Sequence, residues 1–298
     1  MKKGAVISGG GKDGALTVGR MSILKNDYDF AIGVSTGALM MILVLIGRYD
    51  LLYQLYTEIN QDRINEKSIF NPDGSVNIKR FIWYSVISFI SYKKSIGESK
   101  RLLSYINENI KDEYFDIIKG QKESVSVVYS ISHSKPLFIS SESPAFSKQD
   151  LREFIWASAN VPVIMSTLEK NIGGELHQLV DGGVAVGTPL KQAVLAGCKE
   201  IDVFMHKPKN IKPSGTQKNY IGIMGKAAKD GLSMSHDKDL EIGLKFARDN
   251  NCYVRVFWME KELYSNPYIF KKKDMQNLYI EGKRLQEKGL CIDIYDYR

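Results

Sequence analysis

The feature that most constrains this chain is a design used twice near its start: a short apolar run, a glycine turn, then a helix. Residues 4 to 8 (GAVIS) are stopped by Gly9-Gly10-Gly11, and Gly14 to Lys25 then carries Leu16, Met21, Ile23 and Leu24 at roughly helical spacing. Phe30 to Val34 (FAIGV) repeats the plan, followed by Ser35-Thr36-Gly37 and a long apolar helix from Ala38 to about Arg48. Unalternated apolar runs of this length suit strands buried on both faces. Such strands lie in parallel sheets covered by helices, so an α/β fold with a mainly parallel sheet is expected.

From about Asp50 to Lys122 the pattern turns long, helical and aromatic, with Phe81-Ile82-Trp83-Tyr84 and Phe89-Ile90 near its middle. We read it as a helical insertion or cap at about 50–122 within a single domain spanning 1–298. Ser124 to Ile131 and Pro136 to Ser140 read as strands, with a turn at Ser132-His133-Ser134-Lys135. Lys148 to Ala159 is a helix ended before Pro162, because the residue preceding a proline avoids helical geometry. Glu175 to Val180 leads as a strand into Asp181-Gly182-Gly183. A helix at Leu190 to Ala196 and a strand at Ile201 to Met205 continue the alternation. An exposed loop at Lys207 to Lys218, a mostly helical 219–248, a strand at Tyr253 to Met259 and an amphipathic helix at Lys273 to Lys288 complete it.

Composition narrows the class. With 44% hydrophobic and 25% charged residues the chain has ample material for a core. Its net charge of +7 draws it toward anionic surfaces. The basic residues are dispersed, with no zinc-finger spacing or arginine-rich arm, so nucleic acid is not an expected partner. Three cysteines without a CxxC pair suit a reducing cytoplasm. Met1-Lys2-Lys3 resembles the charged start of a signal peptide, but the apolar stretch after it breaks at glycines. The most apolar run, Ala38 to Ile46, falls short of the roughly 20 residues that span a bilayer.

Two turns carry chemistry. Gly33-Val34-Ser35-Thr36-Gly37 fits GxSxG, in which a serine sits on a sharp strand-to-helix turn, and here a strand does precede it and a helix follow. The helix start behind Ser35 favours negative charge near its oxygen. Gly9-Gly10-Gly11-Lys12-Asp13-Gly14 is a second helix start whose bare amides can surround an anion. It lacks the GK[ST] ending of a phosphate loop and departs from GxGxxG, which favours a transient oxyanion over a nucleotide. A serine nucleophile needs a base. Among His133, His177, His206 and His236, an α/β-hydrolase order of serine, acid and histidine is satisfied by Ser35, Asp181 or Asp202, and His206 or His236. That fold places its elbow after several strands, whereas Ser35 follows the second.

Together these motifs resemble the patatin-like phospholipase family. GGGxxG at Gly9 to Gly14, GxSxG at Gly33 to Gly37 and DGG at Asp181 to Gly183 stand in the family's order, and Ala157 to Pro162 resembles the small-residue stretch before its DGG. The resemblance runs from about residue 4 to 205 and implies a three-layer α/β/α fold. It implies Ser35 as nucleophile, Asp181 as base, and an oxyanion hole at Gly9, Gly10, Gly11 and Lys12, supported by Gly14, Gly33, Gly37, Gly182 and Gly183. The implied reaction hydrolyses fatty-acyl esters of phospholipids or related lipids through an acyl-enzyme. One departure stands out: the family commonly has arginine directly before the last glycine of the loop. This chain has Asp13 there, with Lys12 one place earlier as the substitute positive charge. No cofactor or metal is expected, since neither an EF-hand loop nor a His/Asp cluster is visible, and hydrolysis is expected to be calcium-independent. A lipid-binding protein without activity and a nucleotide-binding protein are the alternatives. Phe81 to Tyr92, with Lys93 and Lys94, suits either a buried cap helix or peripheral contact with an anionic membrane.

Overall fold

The two apolar runs become neighbouring parallel strands in the middle of a nine-stranded sheet. The computed structural model describes residues 1–59, 61–64, 71, 77–90, 99–162, 164–210, 216, 220–264, 266 and 268–298, with backbone alone at 62, 63, 86–90, 220–222, 224, 225 and 227–229. Its strands are β1 (Lys3–Ile7), β2 (Phe30–Val34), β3 (Glu123–Ser130), β4 (Lys135–Ser140), β5 (Leu168–Ile172), β6 (Glu175–Asp181), β7 (Glu200–Pro208), β8 (Tyr253–Met259) and β9 (Ile292–Asp296). Its helices are α1 (Gly14–Leu24), α2 (Thr36–Leu45), α3 (Tyr49–Glu58), α4 (Gln61–Ile64), α5 (Ile78–Ile90), α6 (Lys100–Asn109), α7 (Asp112–Ile118), α8 (Lys148–Ser158), α9 (Leu190–Leu195), α10 (Tyr220–Asp249) and α11 (Lys272–Glu287).

The sheet runs β5-β6-β3-β2-β1-β7-β8-β9, with β4 also on β3. Its centre, β3-β2-β1-β7-β8, is parallel throughout, and the remaining strands join antiparallel at either side. Side-chain alternation along each strand sorts two cores. Ala5, Ile7 and Ala31 pack with α1, α2, α3, α6, α7, α8 and α11. Val6, Ile32 and Val34 pack with α9 and α10 on the other face. The fold is therefore the expected three-layer α/β/α arrangement around a mostly parallel sheet.

Two strands escaped the sequence pattern. β5 and β9 lie at the two ends of the sheet and read LEKNI and IDIYD, with no residue of either fully buried. An edge strand with solvent on one side carries no apolar run to announce it. β7 also continues through Lys207 to Pro208, where a loop was expected from Lys207. Tyr92, Lys93, Lys94 and most of the stretch from 211 to 219 lie outside the described residues. No helix among the described residues is long and apolar enough to cross a membrane.

One detail of pairing positions everything that follows. β4 lies along Val125–Ser130 of β3. β2 pairs with Glu123–Val127 and β6 with Val128–Ser130, so both must occupy the opposite edge, end to end. Val34 faces Val127 and Asp181 faces Val128. The last residues of β2 and β6 thus meet head-on.

Candidate active site

Ser35 follows β2 directly and caps α2 with φ 55° and ψ −122°. A serine held at positive φ costs on the order of 1–3 kcal/mol and persists only where its surroundings fix it. The fixing groups are visible. The Ser35 N–H donates to Ser158 Oγ at 3.0 Å, and the Ser158 hydroxyl donates to the Val127 carbonyl at 2.6 Å. At the next residue, Tyr56 Oη donates to the Thr36 carbonyl at 2.9 Å and lies 2.7 Å from Thr36 Oγ1. Gly37 allows α2 to settle on β1, because a Cβ there would lie 2.1 Å from the Ile7 carbonyl oxygen. Gly33 faces Gly37 across the elbow in the same way.

Asp181 ends β6 against that elbow. Its carboxylate accepts the Gly183 N–H at 2.8 Å, and its own N–H donates to the Asn160 carbonyl at 2.9 Å. Burial pushes its pKa up to about 6, opposed by the hydrogen bond from Gly183 and by the Ser35 hydroxyl. At neutral pH the carboxylate is therefore mostly charged yet more basic than an ordinary aspartate. Gly182 is required by close approach, since a Cβ there would lie 2.3 Å from the Val127 carbonyl oxygen.

The glycine loop completes the surround. Gly9 lies against the Ser35 side chain. Gly10 to Asp13 form a tight turn closed by the Asp13 N–H on the Gly10 carbonyl at 3.2 Å, and Gly14 opens α1 beside Thr36 and Met40. Among the described residues, no acceptor meets the N–H groups of Gly10, Gly11 and Lys12. Free donors at a helix start beside a serine are the groups that stabilise a developing oxyanion.

The Lys12 side chain reaches toward the C-terminal helix. It is buried, 3.8 Å from Asp274 at the start of α11 and 4.4 Å from the centre of the Tyr264 ring. Burial lowers its pKa, while Asp274 and Asp13 oppose the fall. Lys12 therefore ties the loop to the C-terminal helix through its side chain.

The histidines are placed away from the base position. His206 lies beneath the loop, with Nε2 2.8 Å from Thr17 Oγ1, and its N–H donates to Ser8 Oγ at 3.1 Å. Burial lowers its pKa to about 4, so it is neutral. A Cβ on Gly10 would sit 2.2 Å from that of His206. His236 packs on Gly187, and burial takes its pKa to about 4 as well. His133 and His177 stack on each other at the far end of β6. Asp202 is engaged by Arg255 through two bonds of 2.7 and 2.8 Å, at the other end of the sheet.

Ser35 opens onto an apolar pocket enclosing about 960 Å³, counting its open mouth. Leu39, Leu55, Ile106, Val161, Met165 and Phe270 are among its walls, and Gly11 lines it too. Tyr268 also lines it, with a pKa raised to about 12 by burial and by the nearby Asp181 charge. Ser158, Tyr56 and Tyr268 are site residues the sequence did not single out. Ser158 stood in the small-residue stretch already noted, but nothing in its spacing predicts a bond to an elbow more than a hundred residues away.

The sequence profile of the patatin-like phospholipase family matches residues 5–194. No curated protein matches by sequence. Among solved structures, the crystal structure of VipD from Legionella pneumophila superposes with a TM-score of 0.44 at 12% identity, over 99% of this chain and 68% of that one. The profile match spans well over half of the chain, from β1 through most of α9, and this chain belongs to the patatin-like phospholipase family.

Proposed function

We propose that this protein hydrolyses fatty-acyl esters of phospholipids or related lipids, with Ser35 as nucleophile and Asp181 as base. The observation that carries the proposal is the end-to-end meeting of β2 and β6. It brings a serine on a positive-φ turn against a buried carboxylate at the mouth of an apolar pocket. Asp181 takes the proton of Ser35 as Oγ bonds to the ester carbonyl carbon, and the carbonyl oxygen becomes an oxyanion held by the amides of the glycine loop, Gly9 to Lys12. Asp181 then returns the proton to the leaving alcohol as the carbon–oxygen bond breaks. In the second half, water loses a proton to Asp181 and attacks the acyl carbon, and Asp181 passes that proton to Ser35 Oγ as the acyl–oxygen bond breaks and the fatty acid leaves. The pocket offers the acyl chain an apolar wall.

The helices between β2 and β3, at about 50–122, serve in this proposal as a cap within a single domain, and α5 as its membrane-facing part. Ile78, Ile82 and Trp83 are 55%, 56% and 64% exposed, with Lys79 and Arg80 between them. A helix turn that mixes exposed apolar and cationic groups suits the interface of an anionic bilayer, where indole and headgroup level coincide.

The test compares wild type, Ser35→Ala and Asp181→Asn on short p-nitrophenyl esters and on a fluorescent phospholipid. Both variants are expected to lose activity on both substrates. Full activity in Ser35→Ala overturns the nucleophile assignment, and a wild type inert on every ester leaves a lipid-binding role without catalysis.

A further inference from the structure

The tips of two hairpins bring together three side chains that the proposed reaction does not use. Glu175 and His177 stand two apart on β6, so they share a face of the strand. His133 reaches them from the turn between β3 and β4. One ligand atom from each lies within 4.8 Å of the others. The Glu175 carboxylate is 3.2 Å from His133 Nε2 and 3.9 Å from His177 Nε2. Around an ion with ligands at about 2.0–2.1 Å, tetrahedral ligand atoms stand roughly 3.3 Å apart, so the Glu175–His133 separation already matches that spacing and the Glu175–His177 separation is somewhat wider.

Serine hydroxyls hold the opposite edges of the rings. Ser130 Oγ lies 2.9 Å from His177 Nδ1 and 3.3 Å from His133 Nδ1, and Ser132 Oγ lies 2.9 Å from His133 Nδ1. Ser130 is fully buried. In the tautomer that carries its proton on Nδ1, each ring donates to a serine hydroxyl and keeps its lone pair on Nε2, the atom that faces Glu175. Outer partners of this kind orient histidine ligands at metal centres.

We propose that His133, Glu175 and His177 bind a divalent transition-metal ion of the zinc type, with water as a fourth ligand. Two imidazoles and one carboxylate suit zinc better than calcium or magnesium, which favour all-oxygen sets. The rings stack at 4.0 Å with 25° between their planes, so one must turn for both Nε2 lone pairs to meet a single ion. His133 is the ring that turns: its side chain is 26% exposed, against 4% for His177. The ion then cross-links the β3–β4 turn to the start of β6. Asp181 stands at the other end of β6, roughly 13 Å along the strand at its usual rise. The role is thus a clamp on the strand that carries the proposed base, separate from the chemistry.

The test uses EDTA-stripped protein, titrated with zinc chloride by calorimetry and melted with and without zinc. One ion per chain and a zinc-dependent rise in Tm are expected. His133→Asn, at a partly exposed turn position, and Glu175→Gln, at an exposed one, should each weaken zinc binding at least tenfold and remove most of the rise. His177→Asn should do the same. Because His177 is buried, its result counts only if its circular dichroism matches wild type. Cobalt in place of zinc should give the intense visible bands of four-coordinate geometry in wild type alone. Absence of zinc uptake, or uptake unchanged in both His133→Asn and Glu175→Gln, overturns the proposal.

Discussion

At the ends of β1, β2 and β6 the backbone has almost no freedom, whereas along α5 apolar side chains stand in solvent. The first region is built from contacts no side chain could enter, with Gly37 and Gly182 against carbonyl oxygens and Ser158 bridging Ser35 to β3. The second has Ile82 and Trp83 more than half exposed. The difference follows from what each is proposed to do. A nucleophile and its base act only if held within fractions of an ångström. A surface that meets lipid keeps its apolar area uncovered until it docks.

Substitutions at the rigid end should therefore act on kcat for every substrate, and those on α5 only on substrates held in a membrane. The largest effects belong to the proposed dyad. Ser35→Ala and Asp181→Asn should each lower kcat by roughly 10³-fold or more on soluble esters and on phospholipid alike. A loss confined to phospholipid would break the division between the regions. Next comes Gly10→Ala, whose Cβ would collide with His206 and push the amides of the loop out of place. Losing such donors typically costs about 10²-fold in kcat, and KM should change little. Unchanged kcat in a folded Gly10→Ala protein would remove the loop from the mechanism. Smaller again is the pair Ile82→Asp and Trp83→Asp. Roughly tenfold weaker binding to anionic vesicles is expected, equivalent to about 1.4 kcal/mol, with p-nitrophenyl ester cleavage unaffected. Equal binding by flotation would turn α5 into a packing helix.

The same division governs what the sequence revealed. Ser35 and the glycine loop are local devices, each a strand, a turn and a helix in one continuous stretch, Phe30 to Leu45 and Lys3 to Leu24, and the short apolar run before each is legible by itself. Asp181 was legible only through the family resemblance, because its place beside Ser35 is created by β6 taking over the β3 edge where β2 ends. Ser158, Tyr56 and Tyr268 depend on packing between elements far apart in the chain, and no spacing rule reaches them. His133 lies far before Glu175 and His177 in the chain and joins them only because two hairpins share an end of the sheet. β5 and β9 failed for a different reason: an edge strand that faces water needs no apolar run.

The smallest predicted effect probes the rigid region through stability. Burial raises the Asp181 pKa to about 6, above the ordinary value near 3.9, so the fold prefers the neutral acid. The sign follows from linkage: the stability this group contributes is full below about pH 4 and is lost as pH rises through about 6. At pH 8 the charged carboxylate is a burden of on the order of 1–3 kcal/mol, given about 1.4 kcal/mol per pKa unit. Asp181→Asn keeps an oxygen to accept the Gly183 N–H but carries no charge. It should therefore unfold at higher urea than wild type at pH 8 and at the same urea at pH 4, while its activity is lost at both. In wild type, kcat/KM should fall on the acid side with an apparent pKa near 6, as the base is protonated. A stability gain equal at the two pH values would mean that the carboxylate is not desolvated, and the contrast between a rigid, dehydrated centre and a wet α5 would then fail at its centre.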